Sequence, residues 1–143
     1  MIVVDTSAVL GALVGLPKAL GLVDRIRIDS DLHAPHLLDV EFQHGLRRLV
    51  MSGAISEDRA SDARTDFADL TMVRYPHVSL GDRMWELRHN VTACDAAFIV
   101  LAECLMVPLV TCDARLARAP GHAAKVEVFA GPDQRRSRSR TAR

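Results

Sequence analysis

Short apolar runs alternate along the chain with stretches that repeat apolar residues at helical spacing. Residues 2–4 form a strand-length apolar run, and residues 37–51 place Leu38, Phe42, Leu46 and Leu49 on one helical face. The full pattern predicts strands at 2–4, 32–34, 71–75, 108–112 and 126–129, with Pro35 ending the second. It predicts helices at 7–14, 17–26, 37–51, 56–70, 80–88, 95–105 and 115–119. This alternation predicts an α/β fold with parallel strands and right-handed crossovers.

Composition narrows the class of protein without indicating its chemistry. The chain has 143 residues, 49% hydrophobic and 25% charged, as expected for one soluble globular domain. No apolar run approaches the roughly 20 residues of a membrane-spanning helix. Three cysteines without a Cys-x-x-Cys pair or a secretory signal indicate reduced thiols, so we expect a cytoplasmic protein with no membrane association.

The net charge of zero hides a division of the chain into two parts. Residues 131–143 carry five arginines and one aspartate, whereas residues 1–130 carry 13 basic and 17 acidic groups. We therefore predict a folded domain at 1–130 and a flexible, basic Ser/Arg-rich tail at 131–143. Such a tail either holds a polyanion through phosphate contacts or only solubilises the domain.

Four carboxylates stand where chemistry is expected. Asp5 and Asp113 directly follow predicted strands, Glu41 lies on the 37–51 helix, and Asp95 begins the most apolar helix. In open α/β sheets, ligands bind outside the carboxyl ends of the strands. Carboxylates gathered there repel one another, and a divalent cation removes that penalty. Oxygen ligands without a His or Cys cluster favour Mg²⁺ or Mn²⁺.

Most of these carboxylates also have a local interpretation. Asp95 suits an N-cap or the first turn of its helix, and Asp113 suits the cap of the next one. Glu41 suits a solvated position beside Arg47 or Arg48. The carboxylate after the first strand is harder to explain locally, because a central parallel strand is buried on both faces.

Four segments together resemble a known family. They read VVDTSA at 3–8, APHLLDVE at 34–41, TACDAA at 92–97 and LVTCDARL at 109–116. In this order and spacing they resemble the PIN domain and, more narrowly, the VapC toxins of bacterial toxin–antitoxin pairs, over residues 1 to about 130. The resemblance implies a PIN-like central parallel sheet of four to five strands with helices on both faces. It also implies metal-dependent endonucleolytic cleavage of RNA, and a VapB antitoxin as partner.

The resemblance also assigns site residues. It implies that the catalytic and metal-binding residues are the four carboxylates Asp5, Glu41, Asp95 and Asp113. It further implies supporting hydroxyls that orient the carboxylates, from Thr6, Ser7 and Thr111. Under this hypothesis, three aspartates hold one Mg²⁺ or Mn²⁺, and Glu41 binds a second ion or positions water.

Two positions depart from the family pattern. Cys94 stands where relatives often have Tyr, and Arg115 occupies the region of a further acidic residue. The second departure leaves the number of metal ions, one or two, open.

Other residues suggest how partners bind. Phosphate contacts are expected from Arg47, Arg48, Arg88 and Arg115 together with the tail, while few aromatic residues such as Trp85 are available for stacking on bases. The resemblance implies a homodimer. Apolar surface for both protein contacts is expected on the 37–51 helix and at Leu10, Leu13, Leu16 and Leu20.

Two other classes of function compete with a toxin ribonuclease. One is a non-catalytic PIN-like module that binds RNA or protein. The other is a phosphotransfer enzyme or receiver domain, which also gathers aspartates around Mg²⁺. A haloacid-dehalogenase-like phosphatase would need a second aspartate two residues after Asp5, where Ser7 stands.

Overall fold

Five parallel strands form one sheet in the computed structural model, which describes residues 1–16 and 19–129. The strands are β1 (Ile2–Val4), β2 (Leu32–Pro35), β3 (Met72–Tyr75), β4 (Leu109–Thr111) and β5 (Val126–Val128), in the order β3-β2-β1-β4-β5. The first strand is therefore central, paired with β2 on one side and β4 on the other. Its three residues have no solvent exposure, as expected for a strand covered on both faces.

Within the described residues, seven α-helices connect and cover these strands. They are α1 (Thr6–Val14), α2 (Leu22–Ile28), α3 (Leu37–Met51), α4 (Glu57–Asp69), α5 (Gly81–Glu86), α6 (Ala93–Leu105) and α7 (Ala114–Arg118). Helices α1, α3 and α4 pack on one another, and α1 and α3 also contact the sheet, at β4 and β2 respectively. Helix α6 crosses β1, β2 and β4 and also packs against α5. Its seven consecutive buried residues, 96–102, explain why its sequence is apolar all round.

Two contacts fix the layer formed by α1, α3 and α4. The rings of Phe42 on α3 and Phe67 on α4 stack with their centroids 4.0 Å apart. Gly45 lies where α3 crosses α1, and a Cβ atom at this position would overlap the side chain of Leu10. The glycine therefore lets the two helices approach closely.

The predicted fold class is confirmed: the protein is α/β, with five parallel strands and helices on both faces. Most predicted elements are found within two residues of the expected positions, and α3 matches at both ends. The second helix was predicted wrongly. It begins at Leu22 and ends at Ile28, because Gly21 adopts a left-handed conformation (φ 78°) immediately before it. The predicted start, Pro17, lies outside the described residues.

Two further boundaries differ from the prediction. Strand β2 is one residue longer than predicted, because it includes Pro35 as its last residue. The nitrogen of Pro35 faces β1, but the pairing of β1 with β2 has already ended at Val3 and His33, so no hydrogen bond is lost there. The next amide, that of His36, donates a hydrogen bond to the Tyr75 carbonyl oxygen on β3. The helix predicted at 80–88 is a 3₁₀ turn (Val78–Leu80) followed by the shorter α5.

The remaining expectations at this level concern the tail and membranes. The predicted basic tail at 131–143 lies outside the described residues. Among the residues that the structure does describe, no helix has the length and apolar character needed to cross a bilayer.

Candidate active site

Asp5 lies at the junction between the central strand and the first helix. It is the N-cap of α1, and its Oδ1 accepts hydrogen bonds from the Ala8 amide (2.8 Å) and the Ser7 hydroxyl (2.7 Å). Its Oδ2 accepts a hydrogen bond from the hydroxyl of Thr111, the last residue of β4. With 6% exposure, Asp5 is the most deeply buried carboxylate among the described residues.

Burial makes the charged form of Asp5 unfavourable. Loss of hydration raises its pKa from 3.8 to about 6, although the hydrogen bonds from Thr111, Ala8 and Ser7 oppose the rise. The negative charge of Asp113 adds a smaller increase. All three hydrogen-bond donors are neutral, so no cation of the described chain compensates the charge of Asp5.

Two hydroxyl groups join the ends of β1 and β4. Ser7 Oγ accepts a hydrogen bond from the Cys112 amide, and Thr111 Oγ1 accepts one from the Asp113 amide, both at 2.9 Å. The two hydroxyl oxygens lie 3.2 Å apart. Because each already donates its proton to Asp5, this contact is not a hydrogen bond between them. The network fixes both oxygens of Asp5.

Glu41 reaches the same edge of the sheet from α3. Its carboxylate accepts a hydrogen bond of 2.5 Å from the hydroxyl of Thr6, the residue after Asp5. The local alternative placed Glu41 in solvent beside Arg47 or Arg48. Glu41 is partly buried, both arginines are exposed, and neither forms an ion pair with Glu41 in the described part of the chain. Thr6 and Ser7 thus serve different carboxylates.

Asp95 approaches from the start of α6. Thr92 is the N-cap of this helix, and its Oγ1 accepts a hydrogen bond of 3.2 Å from the Asp95 amide. Asp95 therefore occupies the first helical turn, as its local interpretation predicted. Its side chain is partly buried. The pKa of the neighbouring Cys94 thiol is raised mainly by burial, and further by the charges of Glu41 and Asp95. The charges of Glu41 and Asp95 therefore both act on Cys94.

Asp113 is held by its own neighbour. It is the N-cap of α7, and its Oδ1 accepts the Arg115 amide at 2.9 Å. The guanidinium of Arg115 also bonds both carboxylate oxygens, with Nε at 3.0 Å from each. These hydrogen bonds lower the pKa of Asp113, although Arg115 itself is largely exposed.

Comparison with known proteins identifies the family. The family model described as PIN domain matches residues 2–122. The chain belongs to this family. It is 47% identical to Ribonuclease VapC1 of Mycobacterium tuberculosis (strain H37Rv) over 120 residues, which cover 83% of this chain and 90% of that protein. It is 43% identical to Ribonuclease VapC9 of the same strain, over 81% of this chain and 88% of that protein.

A solved structure supports the same fold. The crystal structure of VapBC2 from Rickettsia felis, bound to a DNA fragment from their promoter, superposes with a TM-score of 0.64. The match covers 90% of this chain and 99% of that chain, at 15% sequence identity. At this identity the likeness concerns the PIN fold alone.

The acidic side chains of this PIN domain suit a hard divalent cation in their chemistry. They supply carboxylate oxygens, and the buried Asp5 lacks a positively charged partner among residues 1–16 and 19–129. In that same part of the chain, however, no three His, Cys, Asp or Glu side chains are grouped closely enough to hold a metal ion. The guanidinium of Arg115 would have to leave Asp113 before that carboxylate could bind a metal.

Some contacts at this edge were not predicted. The pairing of Arg115 with Asp113 is the clearest, and an arginine two residues after a predicted capping aspartate was the available signal. The capping role of Thr92 was also missed, although Thr followed three residues later by an acidic residue is a known N-terminal pattern.

Proposed function

We propose that this PIN domain is an endoribonuclease of the VapC type, which acts as the toxin of a toxin–antitoxin pair and hydrolyses phosphodiester bonds in cellular RNA. Family membership and the relatives named Ribonuclease VapC support the class of reaction. The observation that carries the proposal is the hydroxyl network, which fixes a buried, uncompensated carboxylate at the carboxyl edge of the sheet.

Each acidic residue has a role in this proposal. Asp5, Asp95 and Asp113 would hold Mg²⁺ or Mn²⁺, and Glu41 would orient the attacking water or contribute to a second ion. When bound, the ion stabilises charge on the scissile phosphate and lowers the pKa of water. Ser7 and Thr111 keep both oxygens of Asp5 in one orientation, and Thr6 does the same for Glu41.

The test is cleavage of single-stranded RNA by the purified full-length chain with Mn²⁺. We expect activity in the wild type, its loss on chelation with EDTA, and a decrease of at least about 100-fold in both Asp5→Asn and Asp95→Asn. Asp62→Asn is the matched control, because Asp62 is an exposed carboxylate on α4. Full activity in both active-site variants would refute the proposal.

One observation favours the alternative of a non-catalytic module that binds RNA or protein. Asp113 is occupied by Arg115, and the described carboxylates are not grouped as a metal site. The two functions separate in the same assay. If the wild-type chain binds RNA but does not cleave it at any Mn²⁺ concentration, the result would support the module and exclude the nuclease.

The proposal includes a VapB-type antitoxin and a homodimer as partners. The VapBC2 complex named above supports the first. Exposed apolar side chains on the early helical region and on α3 provide surface for such contacts, at Leu16, Leu20, Val40 and Met51. Light scattering of the chain alone and after coexpression with its antitoxin gives the two stoichiometries, and a monomeric chain would refute the homodimer.

A further inference from the structure

A cleft of about 440 Å³ lies directly beside Asp95. Residues 88–92, between α5 and α6, form one wall, and Arg115, Leu116 and Ala119 form the other. The size falls within the range of clefts that hold small ligands, such as one nucleotide. A ligand in this cleft would lie against Asp95.

Arg88, on the first wall, is held in a defined position. Its guanidinium carbon lies 4.8 Å from the centroid of the Trp85 ring, and its Nη1 donates a hydrogen bond of 2.9 Å to the Trp85 carbonyl oxygen. The indole and the carbonyl thus fix both the plane and one edge of the guanidinium. Within residues 1–16 and 19–129 the guanidinium of Arg88 makes no other hydrogen bond, so its remaining N–H groups are available to a ligand.

The two arginines of the cleft differ in their availability. The guanidinium of Arg115 is engaged by Asp113, as described above. Arg88 forms no ion pair with any carboxylate within residues 1–16 and 19–129. Trp85 is 69% exposed, so its contact with Arg88 does not serve to bury the indole in the core. A cation that contacts Trp85 and has no anionic partner in the described part of the chain therefore lines the same cleft as Asp95.

We propose that the cleft binds one nucleotide of single-stranded RNA next to the scissile bond, with Arg88 contacting a backbone phosphate and Trp85 acting as the positioning residue for Arg88. The substrate class rests on the proposed ribonuclease function. A guanidinium matches a phosphate with two parallel hydrogen bonds. Its positive charge also offsets the repulsion between an RNA phosphate and the nearby carboxylates.

The test separates binding from cleavage. The probe is a fluorescent ten-nucleotide single-stranded RNA, and anisotropy with the full-length chain in EDTA gives the affinity between 50 and 200 mM KCl. We expect Arg88→Ala to weaken binding roughly tenfold and to reduce the salt slope by about 0.7, which corresponds to one lost phosphate contact. Arg88→Lys should recover part of the affinity. Arg64→Ala is the control, because Arg64 is an exposed arginine on α4, away from the cleft.

The role of Trp85 requires a double-mutant cycle. Trp85→Ala should weaken binding in the wild-type chain but have no further effect in Arg88→Ala, whereas Trp85→Phe should retain most of the affinity. An equal loss in both backgrounds would show that Trp85 contacts the RNA itself and would overturn its positioning role. Equal binding of a decaglutamate peptide would overturn the assignment to RNA.

Cleavage kinetics with Mn²⁺ distinguish this inference from the proposed function. We expect Arg88→Ala to raise KM about tenfold with kcat little changed. Wild-type affinity, salt slope and KM in Arg88→Ala would overturn the role of Arg88 and leave the ribonuclease intact. A chain that never cleaves RNA, yet loses affinity through Arg88→Ala, would refute the ribonuclease and leave the RNA-binding cleft.

Discussion

Replacing Asp5 with asparagine should stabilise the metal-free protein, by an amount that depends on pH. Folding raises the pKa of Asp5 from 3.8 to about 6, so the folded state binds this proton more tightly than the unfolded state. The stabilisation that comes from the protonated form is complete below pH 3.8 and is lost as pH rises through about 6. A shift of about two units corresponds to a cost of about 3 kcal/mol above pH 6.5. Asparagine, which is neutral, avoids this cost.

The surrounding hydrogen bonds can accommodate the asparagine amide. Its oxygen would accept hydrogen bonds from the Ala8 amide and the Ser7 hydroxyl, as Oδ1 of Asp5 does. Its nitrogen would donate to Thr111 Oγ1, and the Thr111 proton would turn toward Ser7 Oγ, which is 3.2 Å away. One N–H of the asparagine amide then has an acceptor, but the second has none among these contacts, and this unpaired donor reduces the gain by an amount that does not depend on pH.

The assay is urea unfolding of wild type and Asp5→Asn, followed by circular dichroism in EDTA at several pH values. The difference in unfolding free energy should be below about 1 kcal/mol at pH 4, shift by about 2–3 kcal/mol in favour of the variant between pH 4 and pH 6.5, and level off above that. Asp62→Asn, at an exposed position, should show no such curve. A difference that is flat with pH, or a wild type more stable than Asp5→Asn at pH 8, would refute the reasoning.

Three further predictions concern neighbouring contacts. Thr111→Val removes a hydrogen-bond donor to Asp5 and should lower the free energy of unfolding in urea by about 1–3 kcal/mol. The decrease should be larger at pH 8 than at pH 4, because the lost hydrogen bond stabilises the charged carboxylate more than the protonated one. Arg115→Gln should move the pKa of Asp113 up toward its usual range, as measured by NMR titration of the carboxyl carbon; an unchanged pKa would contradict the ion pair. Phe67→Ala should cost about 3–5 kcal/mol in urea unfolding, because it leaves a cavity against Phe42, and a loss below 1 kcal/mol would contradict the stacking.

Elements whose hydrophobic pattern is local were predictable from the sequence. The α3 helix matched at both ends because Leu38, Phe42 and Leu46 form one buried face and few other constraints act on it. The placement of Asp5 at the carboxyl end of a central strand was predictable for a similar reason. A fully apolar run followed by a carboxylate and two hydroxyls has few other locations in an α/β fold.

What the sequence could not provide depends on contacts between distant residues. His33 is buried on β2, and its ring nitrogens form hydrogen bonds with Asp31 and the Tyr75 hydroxyl. The pattern of apolar residues does not predict this burial or these partners. The start of α2 at Leu22 depends on the left-handed backbone conformation of Gly21, and the sequence alone does not indicate which nearby residue adopts it. The engagement of Asp113 by Arg115 depends on rotamers, which a residue pattern does not specify.

The helix-cap and ligand interpretations of the aspartates, set out above as alternatives, are compatible in this fold. In a parallel sheet followed by helices, the strand ends and the helix N-termini lie at the same edge, so an aspartate that caps α1 or α7 also faces the crevice. Capping of α1 uses Oδ1 of Asp5, while Oδ2 is held separately by Thr111. The partial positive charge of the helix N-termini lowers the free energy of gathering negative charge there. Capping therefore helps to position the carboxylates, and neither the caps at Asp5 and Asp113 nor the first-turn position of Asp95 counts against a role in chemistry.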